Sequence, residues 1–166
     1  MAKTPDRFAN FTKQLAKYEP QVHHLNPPAT EEAISSAESA LGVSFPPAYR
    51  EFLRRWNGGV LFGTFVPIFA IHGAKVNPKK FMADDLVSRN KPNKRWPGTP
   101  DDYIAIAANS SGDTFNLDLK AGSEAPVVQW DHESAKPARK WKNFVAWLDA
   151  QMKDGSKIYG YDGEVL

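Results

Sequence analysis

The hydrophobic period of this chain changes abruptly at Gly58-Gly59, and that change restricts its folds more than any other feature. Before the two glycines, apolar residues recur at helical spacing. After them, β-branched and aromatic residues gather in short runs, some alternating with polar residues. A block of helices followed by a block of strands argues for an α+β domain with an antiparallel sheet, not for alternating βαβ units.

Three helices are expected in the first block. Asp6 to Tyr18 carries Phe8, Phe11, Leu15 and Tyr18 on one stripe, and Pro20 stops it. Gln21 to Pro28 then reads as a linker. Thr30 is placed to cap a second helix, with Glu31 and Glu32 in the first turn, where the helix dipole favours negative charge. Ala33, Ile34, Ala37 and Leu41 form its apolar stripe, and Gly42 follows as a left-handed stop. Pro46-Pro47 opens a third helix, since a proline in the first turn loses no needed N–H. Tyr49, Phe52, Leu53 and Trp56 make its buried face, and Asn57-Gly58-Gly59 is expected to cap it.

The second block predicts strands over Val60 to Phe62, Thr64 to Ile71, Tyr103 to Ala108, Thr114 to Leu119 and Pro126 to Trp130. Pro67 points to a sheet edge or bulge. Asn109 to Asp113 has the length and composition of a hairpin loop, with Asp113 expected to bond backbone in the turn. Phe115, Leu117 and Leu119 alternate with Thr114, Asn116 and Asp118. This pattern predicts one buried and one solvated sheet face. A last helix is expected from about Lys140 to Lys153, with Gly155 ending it. The fold class is α+β: one domain, a small antiparallel sheet, and N-terminal helices and a C-terminal helix packed on one face.

Charge is uneven along the chain. The net charge is only +2. Lys75 to Arg95 carries +5, Asp101 to Glu133 carries −6, and Ser134 to Lys157 carries +4. Lys75 to Asp102, rich in proline, reads as an irregular basic insertion with a short helix near Phe81 to Arg89. Asp84, Asp85, Asp101 and Asp102 dilute it, so the pattern argues against nucleic acid as the partner.

Reactive chemistry is hard to find. The chain has no cysteine, which excludes disulfides and thiolate sites and suits a reducing compartment. His23-His24 points its two rings apart on an extended chain, and His72 and His132 have no ligand spacing, so no metal is expected. Gly58-Gly59 follows a helix instead of opening one, so it does not read as a phosphate loop. Ser110-Ser111-Gly112-Asp113 lacks a nucleophile-elbow pattern. Asp131-His132-Glu133, if extended, puts the two acids on one face and the imidazole on the other. These features predict no enzyme and no cofactor. No segment reaches the length of a membrane span or a signal peptide, so the chain reads as cytoplasmic.

One set of residues resembles a known family. Asn26-Pro27-Pro28-Ala29-Thr30-Glu31-Glu32-Ala33-Ile34, then Ala37-Glu38, Leu41-Gly42-Val43-Ser44-Phe45-Pro46-Pro47-Ala48-Tyr49-Arg50-Glu51-Phe52-Leu53 and Trp56-Asn57-Gly58-Gly59 are similar to the N-terminal signature of the SUKH superfamily. Gly112-Asp113, Ala125-Pro126-Val127-Val128 before Asp131-His132-Glu133, and Phe144 to Leu148 follow in the family's order, so the resemblance covers about residues 25–150. It implies a domain over residues 25–157, with residues 1–24 an N-terminal helix and linker, about 75–102 an insertion, and 158–166 a tail. It also implies a protein-binding role. The superfamily includes bacterial immunity proteins, which bind and neutralise polymorphic toxins, often nucleases, and fungal cell-wall assembly regulators, which make a scaffold role the alternative. A nuclease is basic where it holds phosphates, and an acidic face would speed and select its capture. The candidate partner-binding residues are therefore Asp113, Asp118, Asp131 and Glu133, with Trp96 as an aromatic anchor and Trp130 as a second anchor if exposed.

Overall fold

The computed structural model describes residues 3–63, 65–73 and 83–166. Helices α1 (Ala9–Leu15), α2 (Glu31–Leu41) and α3 (Pro47–Arg55) precede most of the sheet. A short α4 (Leu86–Arg89) lies inside it, and α5 (Phe144–Ser156) follows it. The strands are β1 (His24–Leu25), β2 (Gly59–Leu61), β3 (Val66–Ile68), β4 (Tyr103–Ala108), β5 (Thr114–Asp118), β6 (Val127–Asp131) and β7 (Lys136–Trp141). They form one seven-stranded sheet in chain order, with every neighbouring pair antiparallel. The α+β class is as expected.

The helix signals hold where they are local. Thr30 accepts a hydrogen bond from the Ala33 amide, and Gly42 takes φ 66° at the end of α2. Pro47 is the first residue of α3. Glu38 then fixes the angle between these two helices. Its carboxylate accepts from the Phe45 amide at 2.7 Å and from Arg50 at 2.8 and 3.1 Å. Arg50 also reaches Glu31 at 2.9 Å.

An aromatic core joins α1, α3 and α5 on one side of the sheet. Phe52 meets Phe8, Phe11, Trp56 and Phe144. Phe115 of β5 meets Trp141 and Trp147. Phe8, Phe11, Tyr49, Phe52, Phe144 and Trp147 are fully buried. Each such ring removes on the order of 150 Å² or more from water.

Five sequence expectations change. Asn57-Gly58-Gly59 is not merely a cap. Asn57 bonds both the amide and the carbonyl of Ile71, at 2.7 and 2.9 Å, in the manner of a strand neighbour. A Cβ on Gly59 would stand 2.2 Å from the His24 carbonyl oxygen, and one on Gly58 would stand 2.5 Å from that of Phe69. The glycines thus let β2 pass between its neighbours.

Residues 24–25, read as linker, pair with β2. Residues 136–141, unassigned except for the expected helix start at Lys140, form β7. The last helix begins at Phe144 because the Asn143 side chain caps it, accepting from the Ala146 amide at 2.8 Å. Gly155 lies within that helix and does not end it. A side chain there would strike the Phe62 ring, whose Cε2 is 2.1 Å from the Cβ position.

The second sheet face is not solvated along β5. Thr114 and Asn116 are buried, as are Val128 and Trp130 beside them. Arg89, Lys94, Arg95, Trp96 and Thr99 wall a narrow crevice over Thr114, Asn116 and Ala105. The described part of the 75–102 segment therefore covers this face; residues 75–82 fall outside the described residues.

Candidate functional site

Two hairpin ends meet at one end of the sheet. In the β4–β5 loop, Asn109 does the turn's internal bonding. Its Oδ1 accepts from the amides of Ser111 and Asp113, at 3.1 and 3.0 Å. Asp113 is thereby left to reach sideways, contrary to the expectation that it bonds within its own turn. Its Oδ2 accepts from Gln129 Nε2 at 2.9 Å, and its Oδ1 accepts from the His132 amide at 3.2 Å. His132 Nδ1 lies 2.8 Å from the same oxygen. An ionised carboxylate only accepts, so Nδ1 carries the proton. Partial burial opposes the charge on Asp113, but the bonds from Gln129 and His132 outweigh it and hold the carboxyl below its ordinary range.

Trp96 closes the cluster from the covering segment. Its ring stacks on His132 with centroids 4.8 Å apart and planes at 30°. Its Nε1 donates to the Gly112 carbonyl at 2.9 Å. Gly112 has φ 101°, and a Cβ there would lie 3.2 Å from the imidazole. Trp96 still leaves 38% of its surface exposed. It is an aromatic anchor already held in one orientation.

The chain does not stay extended through Asp131-His132-Glu133. β6 ends at Asp131, and Ala135 adopts φ 54° in the turn. Asp131 Oδ1 accepts from the amides of Glu133 and Ser134, at 2.9 and 3.2 Å. The Ser134 hydroxyl and these amides keep Asp131 below the ordinary carboxylate range. Glu133 is exposed, and its amide, not its carboxylate, enters the turn. The structure therefore gathers Asp113, Asp131, Glu133 and Trp96.

Asp118 is not among them. It ends the opposite side of β5, across from Tyr103, roughly 17 Å along the strand from Asp113. There it accepts from the Lys120 amide at 3.2 Å, beside the Lys120–Asp102 pair. The acidic section thus forms two separated clusters instead of one sheet face. Trp130 is buried against Tyr103 and is no exposed anchor.

One ligand atom each from Asp113, Asp131 and His132 falls within 4.8 Å of the others, a spacing that could admit a cation. Both carboxylates are already engaged, Asp113 by Gln129 and His132, and Asp131 by its turn. Sequence inspection missed the bridging role of His132, because its partner lies nineteen positions away.

No helix among the described residues is long and apolar enough to cross a membrane. No curated protein matches the sequence. Among solved structures, a protein from Pseudomonas syringae pv. tomato is similar in fold. It is 16% identical with a TM-score of 0.58, and the match covers 82% of this chain and 90% of that one. The model of the SMI1 / KNR4 family (SUKH-1) matches residues 28–150, from the proline pair before α2 to the middle of α5. The chain belongs to the SMI1 / KNR4 family (SUKH-1).

Proposed function

We propose that this protein is an immunity protein that neutralises a cognate polymorphic toxin by forming a stoichiometric complex with it, and that it docks through the hairpin end around Trp96. Members of its family bind protein partners and include immunity proteins and related regulators. The observation that carries the reading is Trp96 itself, partly exposed yet locked by His132 and Gly112, with Asp131 close to His132 and the exposed Glu133 next to it in the chain. A pre-oriented aromatic loses little entropy on binding, and acidic groups next to it suit a basic partner. Residues that anchor interfaces are commonly Trp, Tyr or Arg set in such a surround. Asp113 serves this site by holding His132 under Trp96, and Asp118 belongs to a different surface.

The test is capture of partners from the producing cell, followed by mixing the purified pair. A single stoichiometric partner whose toxic activity disappears on mixing is the expected result. Trp96→Ala should weaken that complex by about 2 kcal/mol or more. Glu133→Gln should mainly slow association and reduce its salt dependence. Asp118→Asn should leave both unchanged. Stoichiometric capture of wall-assembly or signalling proteins alone, with no toxin, would assign the chain to the regulatory branch of the family.

A further inference from the structure

The sheet has two edges, and they differ. β1 offers two residues, whereas β7 offers six, and Lys136 to Lys140 are exposed throughout. Among the described residues no strand pairs with the outer side of β7. Of its cations, Arg139 is paired, with Asp154 at 3.4 Å, and stacks over Trp141. Lys136, Lys140 and neighbouring Lys142 enter no salt bridge with a described residue.

The register adds more positive charge. Lys140 stands across from Val128, and Val128 across from Asn116, so Lys140 shares the face whose crevice is walled by Lys94 and Arg95. A Cβ on Gly98 would lie 3.6 Å from both Ala135 and the Trp130 ring, so the covering segment runs close to the β6–β7 hairpin. The two basic sections of the sequence thus meet beside this edge, while the acidic section is drawn to the two ends of β5.

We propose that β7 is a docking edge for an extended acidic segment of a partner protein, which adds to the sheet as an eighth strand. An edge strand presents unpaired N–H and C=O groups that match a peptide backbone and not a phosphodiester. A second copy of this chain is a poor strand partner, because two β7 strands side by side would crowd Lys136, Arg139 and Lys140 of both copies along one edge. The same lysines that oppose self-pairing favour a strand carrying Glu or Asp opposite them. Asp131, across from Lys136 at the start of β7, would repel a uniformly anionic chain such as RNA at that end. The edge adjoins the Trp96 end only at Lys136, across from Asp131, and peptide binding along it is read without any toxin, so it stands or falls without the toxin reading.

The probe is a fluorescein-labelled peptide of about eight residues, a usual strand length, in which Glu-Glu pairs alternate with Val-Val pairs, because Lys140 and Lys136 lie on opposite faces of the sheet and the peptide must present acid on both. Fluorescence anisotropy should show saturable binding to the full chain, and hydrogen exchange should slow at the amides of Lys136 and of residues 138–141, Pro137 having none. Lys136→Gln combined with Lys140→Glu should weaken binding about tenfold. Gln at 136 avoids placing a new acid against Asp131, and both side chains are exposed, so the fold should persist. A peptide N-methylated at alternate residues should not bind, since it cannot form the ladder. The proposal is overturned if the parent peptide does not bind, if N-methylation or the double substitution changes nothing, or if single-stranded RNA of equal charge competes as well as the peptide.

Discussion

The Glu38–Gly59 region and the Trp96–His132 region use polar residues in opposite ways. Around Glu38, polar groups are turned inward. Glu38 and Arg50 join α2 to α3, and Asn57 completes hydrogen bonding for Ile71. The two glycines let strands pass where a methyl group would collide with backbone. Around Trp96, the polar contacts are equally specific, yet they hold an aromatic ring partly in solvent. The first region determines how the chain packs; the second determines what it can present. The motif that resembles the family lies almost wholly in the first, which is why it announces the fold and says little about the partner.

The comparison is sharpest under substitution. Gly59→Ala should have the largest effect. A Cβ placed 2.2 Å from a backbone oxygen, at φ 136°, forces β1 and β2 apart. The expected loss is about 3 kcal/mol or more, read from urea denaturation. If Gly59→Ala unfolds at the wild-type midpoint, the close-approach account of the signature fails.

Glu38→Ala comes next. The Glu38 side chain is only 15% exposed, and removing it strands the Phe45 amide and deprives Arg50 of one of its partners. Burial works against its charge, but Arg50 and the Phe45 amide outweigh that and keep the carboxyl low. A loss of about 2 to 3 kcal/mol is expected by thermal or urea unfolding. Asp113→Asn should cost less, about 1 to 2 kcal/mol, because an amide can still accept from one neighbour. Its diagnostic effect is local: Trp96 fluorescence should shift as His132 loses its hold. A larger stability loss at Asp113 than at Glu38 would reverse the division drawn between the two regions.

What was legible in the sequence follows the same division. Thr30, Gly42, Pro47 and the 109–113 loop act within a few residues, so their signals could be read along the chain. β7 was not legible. Lys136-Pro137-Ala138-Arg139-Lys140 has no β-branched residue, and β6 makes it a strand by offering a ladder. Nor could alternation in β5 show that residues 92–99 cover its polar side, because both patterns look the same from the strand alone. The acidic residues were found, but not their grouping. Asp113 and His132 meet only because two hairpins end side by side, and Asp118 departs because a strand of five residues separates it from Asp113.

Near neutral pH the smallest expected effect is a pH dependence, and it lies at His23, where residues beside α1, β1 and β2 come together. His23 is wedged between the rings of Tyr18 and Phe62, at 4.9 and 4.6 Å. Its Nδ1 accepts from the Phe62 amide at 3.1 Å, so the ring is neutral with its proton on Nε2, which has no partner among the described residues. Burial, with a smaller contribution from His24, lowers its pKa from 6.5 to about 4. The unfolded chain therefore takes up this proton first as pH falls. Stability from neutral His23 is complete above about pH 6.5 and drains away between that value and about 4, whereas the loss from Glu38 and Asp113 comes at lower pH, as their carboxylates protonate. Melting temperatures measured from pH 7.5 to 4.5 should fall in wild type and fall less in His23→Gln, whose side chain carries no titrating group. Parallel curves for the two proteins would mean that His23 does not titrate differently on folding, and the acid sensitivity would then belong to the carboxylates alone.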